Sequence, residues 1–264
     1  GDVRHVKVLL PEGNRHRRKV VESPRDPPAS LNYDMWQGQA ALMPYHGSRV
    51  HYDFRWNLAY SGGVLTDWGA HMLDLAQWAL GMQHSGPVEV EGTGEFPPAD
   101  AVWNAPPKFD LHYKYANGIT MHCWAEAPGI KFEGTDGWIM FRGWRAPLRA
   151  SDPAILKTEL GEDAIRLHRP RMVVHRGDGG KGGEHRDFID CVKSRQPCYA
   201  PAEIGHRTIT IAHLGNIAMQ LGRKLQWDPE RERFIGDQAA DAMLSRKQRE
   251  PWTIDNVDSW INVG

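Results

Sequence analysis

The sequence predicts an α+β fold built on a predominantly antiparallel sheet. Three observations carry this. Residues 86–176 break into short alternating segments with no helical run between them, a meander rather than βαβ units. Asn117-Gly118 stands between two of those segments, the strongest short hairpin signal a sequence offers. Two long helical stretches, 62–81 and 202–223, bracket the strand-rich region.

In chain order, Val3 to Leu10 alternates, with Arg4, Val6, Val8 and Leu10 on one side and Val3, His5, Lys7 and Leu9 on the other. It reads as a half-buried strand. No signal peptide precedes it, and a chain that opens directly on a strand is compatible with a further segment upstream. Residues 11–30 are rich in Pro, Arg and Ser and read as a loop. Residues 30–61 are dense in aromatics (Tyr33, Trp36, Tyr45, Tyr52, Phe54, Trp56, Tyr60) among His46, Arg49, His51 and Arg55. They read as an ordered loop packed over the pocket end of the next helix.

That helix spans Gly62 to Gly81. Gly62-Gly63 break what precedes it, Thr66 or Asp67 can cap its first turn, and Gly81 suits the left-handed position after the last. Trp68, Met72, Leu73, Leu75, Ala76, Ala79 and Leu80 make it apolar nearly all round, which predicts a buried helix. Asp67, His71 and Asp74 nevertheless share one face, at spacings of four and three. Burying a carboxylate without partners is costly, so this face either pairs internally or lines a cavity. Three readings stay open. Asp67 accepts from His71 in a structural network while Asp74 caps or pairs elsewhere. His71 is a general acid/base oriented by Asp67, suited by its near-neutral pKa. Or Asp67 and His71 share a metal ion, although no further His/Cys/Asp cluster at ligand spacing accompanies them, so no metal is expected.

Further on, strands are expected at Pro87 to Gly92, Phe109 to Tyr115, Ile119 to Glu126, Ile130 to Phe132 and Trp138 to Phe141. An acidic turn at Gly161-Glu162-Asp163 precedes weak strands at Ala164 to Leu167 and Met172 to His175. Gly177, Gly179 and Gly182 match the dinucleotide pattern Gly-x-Gly-x-x-Gly before a helical run, Glu184 to Lys193. No parallel strand and no strand-end acid follow at the expected distance, Glu203 opening another helix instead, so the pattern reads equally as a plain glycine loop. Ala202 to Arg223 is a long amphipathic helix on Ile204, Ile211, Ala212, Leu214, Ile217, Ala218 and Leu221. Trp227-Asp228-Pro229 ends that unit, and Asp237 to Arg246 is a short helix. Nothing marks a boundary, so residues 1–264 read as one domain.

Composition narrows the function. A net charge of −1 gives no reason to expect nucleic acid or an acidic membrane surface as partner, and His16-Arg17-Arg18-Lys19 is too short a basic run to change that. No apolar run is long enough for a transmembrane helix. Three scattered cysteines (Cys123, Cys191, Cys198) make neither a disulfide framework nor a zinc module, and they favour a reducing compartment, cytoplasmic rather than periplasmic.

Several segments together resemble the C-terminal domain of the glucose–fructose oxidoreductase / inositol dehydrogenase / rhizopine catabolism (Gfo/Idh/MocA) family. They are Leu31-Asn32-Tyr33-Asp34-Met35-Trp36-Gln37-Gly38, Tyr45, and Gly62-Gly63 through Asp67, His71 and Asp74. Gly134 to Trp138, Glu184 to Val192, His213 to Ala218, Trp227-Asp228-Pro229, Phe234, Gly236-Asp237 and Arg249 to Trp252 extend the likeness over most of the chain. The Trp-Asp-Pro tail resembles a bacterial subgroup. The resemblance implies an open, predominantly antiparallel sheet with helices on one face, whose outer face forms an oligomer interface. It implies hydride transfer between NAD or NADP and a sugar or polyol carbon. By motif position, His71 is the acid/base on the substrate hydroxyl and Asp67 its orienting carboxylate or a substrate ligand. Arg55, Tyr60, Trp36 and Asp74 are the further substrate-side candidates, with Asp74 closer to a structural role.

The Rossmann half of such an enzyme, with its Gly-rich turn and Glu-Lys-Pro motif, is not found in these residues, so the cofactor-binding residues stay unknown. Three functions follow. The chain is a truncated, cleaved or separately built part of an NAD(P)-dependent oxidoreductase, its catalytic and substrate domain, with a Rossmann domain in the longer chain or encoded elsewhere. It is a stand-alone carbohydrate-binding or oligomerisation domain without redox activity. Or it is a cofactor-free sugar hydrolase or lyase using His71 and Asp67. A bare apolar sheet face invites association, so a homo-oligomer through that face is expected.

Overall fold

The computed structural model describes residues 1–13, 21–143, 146–159, 161, 184–198 and 200–256. The basic run at 16–19, the weak strands within 164–175 and the glycine pattern at 177–182 lie outside the described residues.

In chain order the elements are β1 (Val3–Pro11), α1 (Tyr33–Gln37), α2 (Val64–Asp67), α3 (Gly69–Ala79), β2 (Glu89–Gly94), β3 (Phe109–Lys114) and β4 (Thr120–Glu126). They continue with β5 (Gly129–Gly134), β6 (Gly137–Arg142), β7 (Arg149–Ala150), α4 (Glu184–Ser194), α5 (Ala202–Leu221), β8 (Leu225–Asp228), β9 (Arg233–Phe234) and α6 (Gln238–Asp241). Short 3₁₀ turns at Gly47–Arg49 and His51–Trp56 punctuate the aromatic loop.

The sheet is open and mostly antiparallel, in the order β7-β6-β5-β1-β4-β3-β2-β8-β9 among the described residues. The expected meander is therefore interrupted. β4 and β5 follow one another in sequence, but β1 lies between them, parallel to β4 and antiparallel to β5. Val6, Val8 and Leu10 are fully buried, and in that register they continue the row made by Met121, Cys123 and Ile130. Alternation reveals which face of a strand is buried, but not which strand lies beside it. The Asn117-Gly118 turn joins β3 to β4 as expected, with Asn117 Oδ1 accepting from the Ile119 amide at 3.1 Å.

Helices α3 and α5 pack together and onto the sheet, α3 over β1 and α5 over β2. Met72, Leu73 and Ala76 from α3, and Ile211, Ala212, Leu214 and Ala218 from α5, close the core against Val8, Leu111, Tyr113 and Met121. Each large side chain buried this way contributes about 1.5–3 kcal/mol of transfer free energy. α5 ends as its sequence demands: Gly222 adopts the left-handed conformation and its amide donates to the Ala218 carbonyl at 2.8 Å. The short helix expected over 237–246 is confined to Gln238–Asp241, and Trp227-Asp228 belongs to a strand.

The opposite face of the sheet is not the bare apolar surface that motivated an oligomer. It carries His5, Lys7, Asp110, His112, His122, Trp124, Lys131 and Glu133. Lys7 and Glu133 pair at 3.0 Å, and Arg142 and Glu126 at 2.7 Å. No helix of the described residues is long and apolar enough to cross a membrane.

Candidate functional site

The stretch 62–81 folds as two helices rather than one. α2 and α3 meet at Trp68, whose carbonyl accepts from both the His71 and Met72 amides, at 3.1 and 3.3 Å. The cap also differs from expectation. Gly63, at φ 72°, takes the N-cap position of α2. Thr66 instead donates to the Gly63 carbonyl at 3.0 Å and accepts from the Gly62 amide at 3.1 Å. A side chain at Gly63 would need a left-handed backbone and would come within 2.7 Å of the Ala105 Cβ. Asn216, on α5, donates to the Gly62 carbonyl at 2.9 Å and ties this turn to the long helix. Gly81 is left-handed, at φ 67°.

The helix is not apolar-buried on every side. Ala70, His71, Leu75 and Ala79 are exposed along one edge of α3. This exposure separates the three polar residues that share a helix face. Asp67 takes a partner from another segment. Arg55, from the preceding 3₁₀ turn, donates from Nη1 to Asp67 Oδ1 at 2.8 Å, with both side chains mostly shielded. Arg55 is itself aimed: its Nε donates to the Tyr52 carbonyl at 2.9 Å and its guanidinium lies 3.3 Å from the centroid of the Tyr52 ring. Asp74 turns toward α5 and accepts from Thr208 Oγ1 at 2.7 Å. Burial holds its pKa above the ordinary carboxylate value, partly offset by the Thr208 hydrogen bond and by His71. Asp74 therefore joins two helices through this hydrogen bond. His71 stands exposed on α3 with its ring edge-to-face to Trp68 at 6.4 Å.

Two adjoining clefts open beside the N-terminus of α2. The smaller, about 680 Å³, is lined by Arg55, Tyr60, Thr66, Asp67, His213 and Arg246 among others. The larger, about 1010 Å³, shares Tyr60, His213 and Arg246 and extends past Trp36, Gln37, Thr210 and Asn216. Of the residues singled out in the sequence, Asp67, Arg55, Tyr60 and Trp36 thus come together. Trp36 packs edge-to-face on Tyr60 at 5.0 Å, and the aromatic loop does pack over this end of the helices. His71 and Asp74 line neither cleft.

Tyr60 donates to Gln37 Oε1 at 3.4 Å, and burial pushes its pKa far up, which keeps it a neutral donor. Gln37 borders the larger cleft but is buried, and its Nε2 finds no acceptor among the described residues.

Sequence reasoning missed His213 and Arg246. His213 is reachable from the cleft yet flanked by protein. Desolvation first, and then the Arg246 charge, hold its pKa below the ordinary imidazole value. Such a group is neutral near pH 7 and able to accept a proton. A signal existed: His213 interrupts the stripe of Ile209 and Ile217, each four residues away on α5, and all three line the cleft.

The dinucleotide that the family implies would need a strand, a Gly-rich turn and a helix N-terminus in one unit. Among the described residues β1 and β4 are the parallel pair, and they are linked only through 12–119, with two further strands between. The described residues do not fit that cofactor.

Comparison with known proteins agrees with this architecture. A family profile described as "Oxidoreductase family, C-terminal alpha/beta domain" matches residues 16–154 and 180–254. Compared by sequence with curated proteins, the chain has no match. Among solved structures it is similar to an NAD-binding protein from Listeria innocua, at 16% identity and a TM-score of 0.51 over 86% of this chain. It is similar also to GenD2 from gentamicin A biosynthesis, solved in complex with NAD, at 15% identity and a TM-score of 0.50 over the same share. The chain spans 56% of the length of each of those two proteins. With the profile covering most of its length, the open sheet and the paired helices in place, this chain belongs to the Gfo/Idh/MocA oxidoreductase family, as a C-terminal α/β domain.

Proposed function

We propose that this chain is the substrate-holding part of an oxidoreductase that acts on a sugar or polyol hydroxyl. One observation carries the reading: an Arg55–Asp67 ion pair set in a cleft beside Tyr60, Trp36 and His213. Polyols offer many hydroxyls and a weakly polar ring face. A carboxylate, a guanidinium and an amide hydrogen-bond the former, and indole and phenol faces cover the latter. Asp67 keeps acceptor capacity beyond the one bond to Arg55, so substrate hydroxyls can join the pair without breaking it.

His71 is the acid/base that the family motif designates, and it sits on the exposed edge one turn beyond Asp67. It can take a hydroxyl proton from a substrate that projects out of the cleft past Trp68. His213 is the imidazole that the cleft itself presents. NAD or NADP, as hydride acceptor, would be held by residues other than those described, in a Rossmann domain that meets the α2–α3 edge. A homo-oligomer through the outer sheet face completes the proposal. Its support is the mixture of Trp124 and Trp138 with paired charges, a composition common at interfaces. A monomer in sedimentation at working concentration would count against it.

The test is calorimetric titration of the chain with a panel of aldoses and cyclic polyols. One or more should bind, and Asp67→Asn and Arg55→Met should each weaken binding by roughly tenfold or more, since hydrogen bonds to charged groups are worth about 1.5–3 kcal/mol. His71→Ala should leave this binding within about twofold, because His71 lies outside the cleft. No binding by any member, or binding indifferent to Asp67 and Arg55, would refute the site. Turnover of a sugar without nicotinamide, abolished in His71→Ala, would instead establish the hydrolase or lyase reading.

A further inference from the structure

The outer face of the sheet gathers three metal-ligating side chains that are far apart in sequence. Asp110 and His112 alternate on β3, and His122 lies directly opposite His112 on β4 in the antiparallel register. Both imidazoles aim Nε2 at the same carboxylate, His112 at 2.9 Å from Asp110 Oδ1 and His122 at 3.0 Å from Asp110 Oδ2. The three ligand atoms all lie within 4.8 Å of one another.

The rings are held as well as gathered. His112 and His122 stack with centroids 4.3 Å apart and planes 9° apart, and Trp124 stacks on the other side of His122, also at 4.3 Å. Trp124 is fixed in turn by donating from Nε1 to Glu126 Oε2 at 2.9 Å. His122 is therefore clamped between two rings, with its Nε2 edge presented to Asp110. All three ligands stand on hydrogen-bonded strands, which position side chains more firmly than loops do.

We propose that Asp110, His112 and His122 form a binding site for a borderline divalent transition-metal ion of the zinc class. As the ion binds, any proton on Nε2 moves to Nδ1 or is released to solvent. Each neutral imidazole carries its remaining proton on Nδ1 and gives its Nε2 lone pair to the metal, and Asp110 supplies the oxygen. Bonds of about 2.0–2.1 Å in tetrahedral geometry put neighbouring ligand atoms about 3.3 Å apart. The observed 2.9 and 3.0 Å nitrogen–oxygen separations need to open by only a few tenths of an ångström, and the two stacked imidazole planes tilt toward one another so that both Nε2 lone pairs converge on the ion. Two imidazoles and one carboxylate suit zinc, nickel or copper and disfavour calcium and magnesium, which want more oxygens. In the single chain Asp110 and His112 are each about half exposed, which leaves the fourth position open to water or to a ligand from a facing copy. This site lies on the face of the sheet away from α3 and α5, and it shares no residue with the cleft. Spacing alone conceals it, since the second histidine arrives through strand pairing.

The test is equilibrium dialysis of the chain against Zn²⁺ with elemental analysis of bound metal. A His112→Ala/His122→Ala double variant is run alongside, with His84→Ala as a control histidine elsewhere on the surface. The wild type and His84→Ala should bind about one equivalent more than the double variant, and Asp110→Asn should weaken that equivalent by about tenfold or more. Circular dichroism should show all variants folded, as the substituted side chains lie on the outer face. Equal binding by wild type and double variant, or no binding by the wild type, would overturn the proposal. So would displacement of the zinc by equimolar calcium or magnesium.

Discussion

At the residue scale, Asp74 shows how burial and partnership divide the work of a carboxyl group. Burial raises its pKa, and the hydroxyl of Thr208 and the charge of His71 only partly offset this. An acid whose pKa is higher in the folded state binds its proton more tightly there. Its contribution is fully present below the ordinary carboxylate pKa and is lost as pH rises through the raised value. Asp74→Asn, which keeps an acceptor for Thr208 and cannot ionise, should therefore be near wild type in stability at acid pH. It should become progressively more stable than wild type as pH rises toward neutrality. Melting temperatures across that range check this, and a gap that is constant or closes with pH would contradict it. The same scale explains what the sequence concealed about Asp67. A spacing of four allows an Asp–His contact, but Arg55 approaches from a neighbouring turn, and a guanidinium already fixed by the Tyr52 carbonyl and ring needs little further ordering to bind. Periodicity along one helix carries no information about what faces it from another segment.

At the element scale, the α2–α3 unit depends on the turn at Gly62-Gly63. Gly63 is both left-handed and pressed toward Ala105, while Gly62 is bonded to Thr66 and Asn216. Gly63→Ala should destabilise the fold by about 2 kcal/mol, within the range for a residue forced into a sparsely populated backbone region. A shift in the urea midpoint at unchanged slope is the readout, and a loss under about 0.5 kcal/mol would show that the turn relaxes freely. Elements whose signals are local were legible beforehand: β1, the hairpin around Asn117-Gly118, and the body of α5. The break at Trp68 was not, because the same residues continue the apolar pattern on both sides of it. Nor was the insertion of β1 between β4 and β5, since long-range pairing is written in no single segment. The exposed edge of α3 has a related origin. Ala70, Leu75 and Ala79 look like core residues in a one-dimensional reading.

At the scale of the whole molecule, the sheet divides two kinds of surface. On one face, α3 and α5 bury the core, and the aromatic loop, α2 and α5 frame the clefts that hold Arg55, Asp67, Tyr60 and His213. On the other lies a polar, aromatic surface with its His–Asp cluster. The clefts could be anticipated in part, since four of their residues come from the two segments that sequence reading had already joined. His213 and Arg246 come from α5 and the segment after α6, and only the packed chain brings them near α2. The central claim concerns what this arrangement holds: a polyhydroxylated substrate here, and the dinucleotide elsewhere. The most direct measurement is a titration of the isolated chain with NADH, following energy transfer from its eleven tryptophans to the nicotinamide. The account predicts no saturable signal below concentrations on the order of 1 mM, equivalent to no more than about 4 kcal/mol of binding. A dissociation constant in the micromolar range would place a cofactor site within this chain and contradict it.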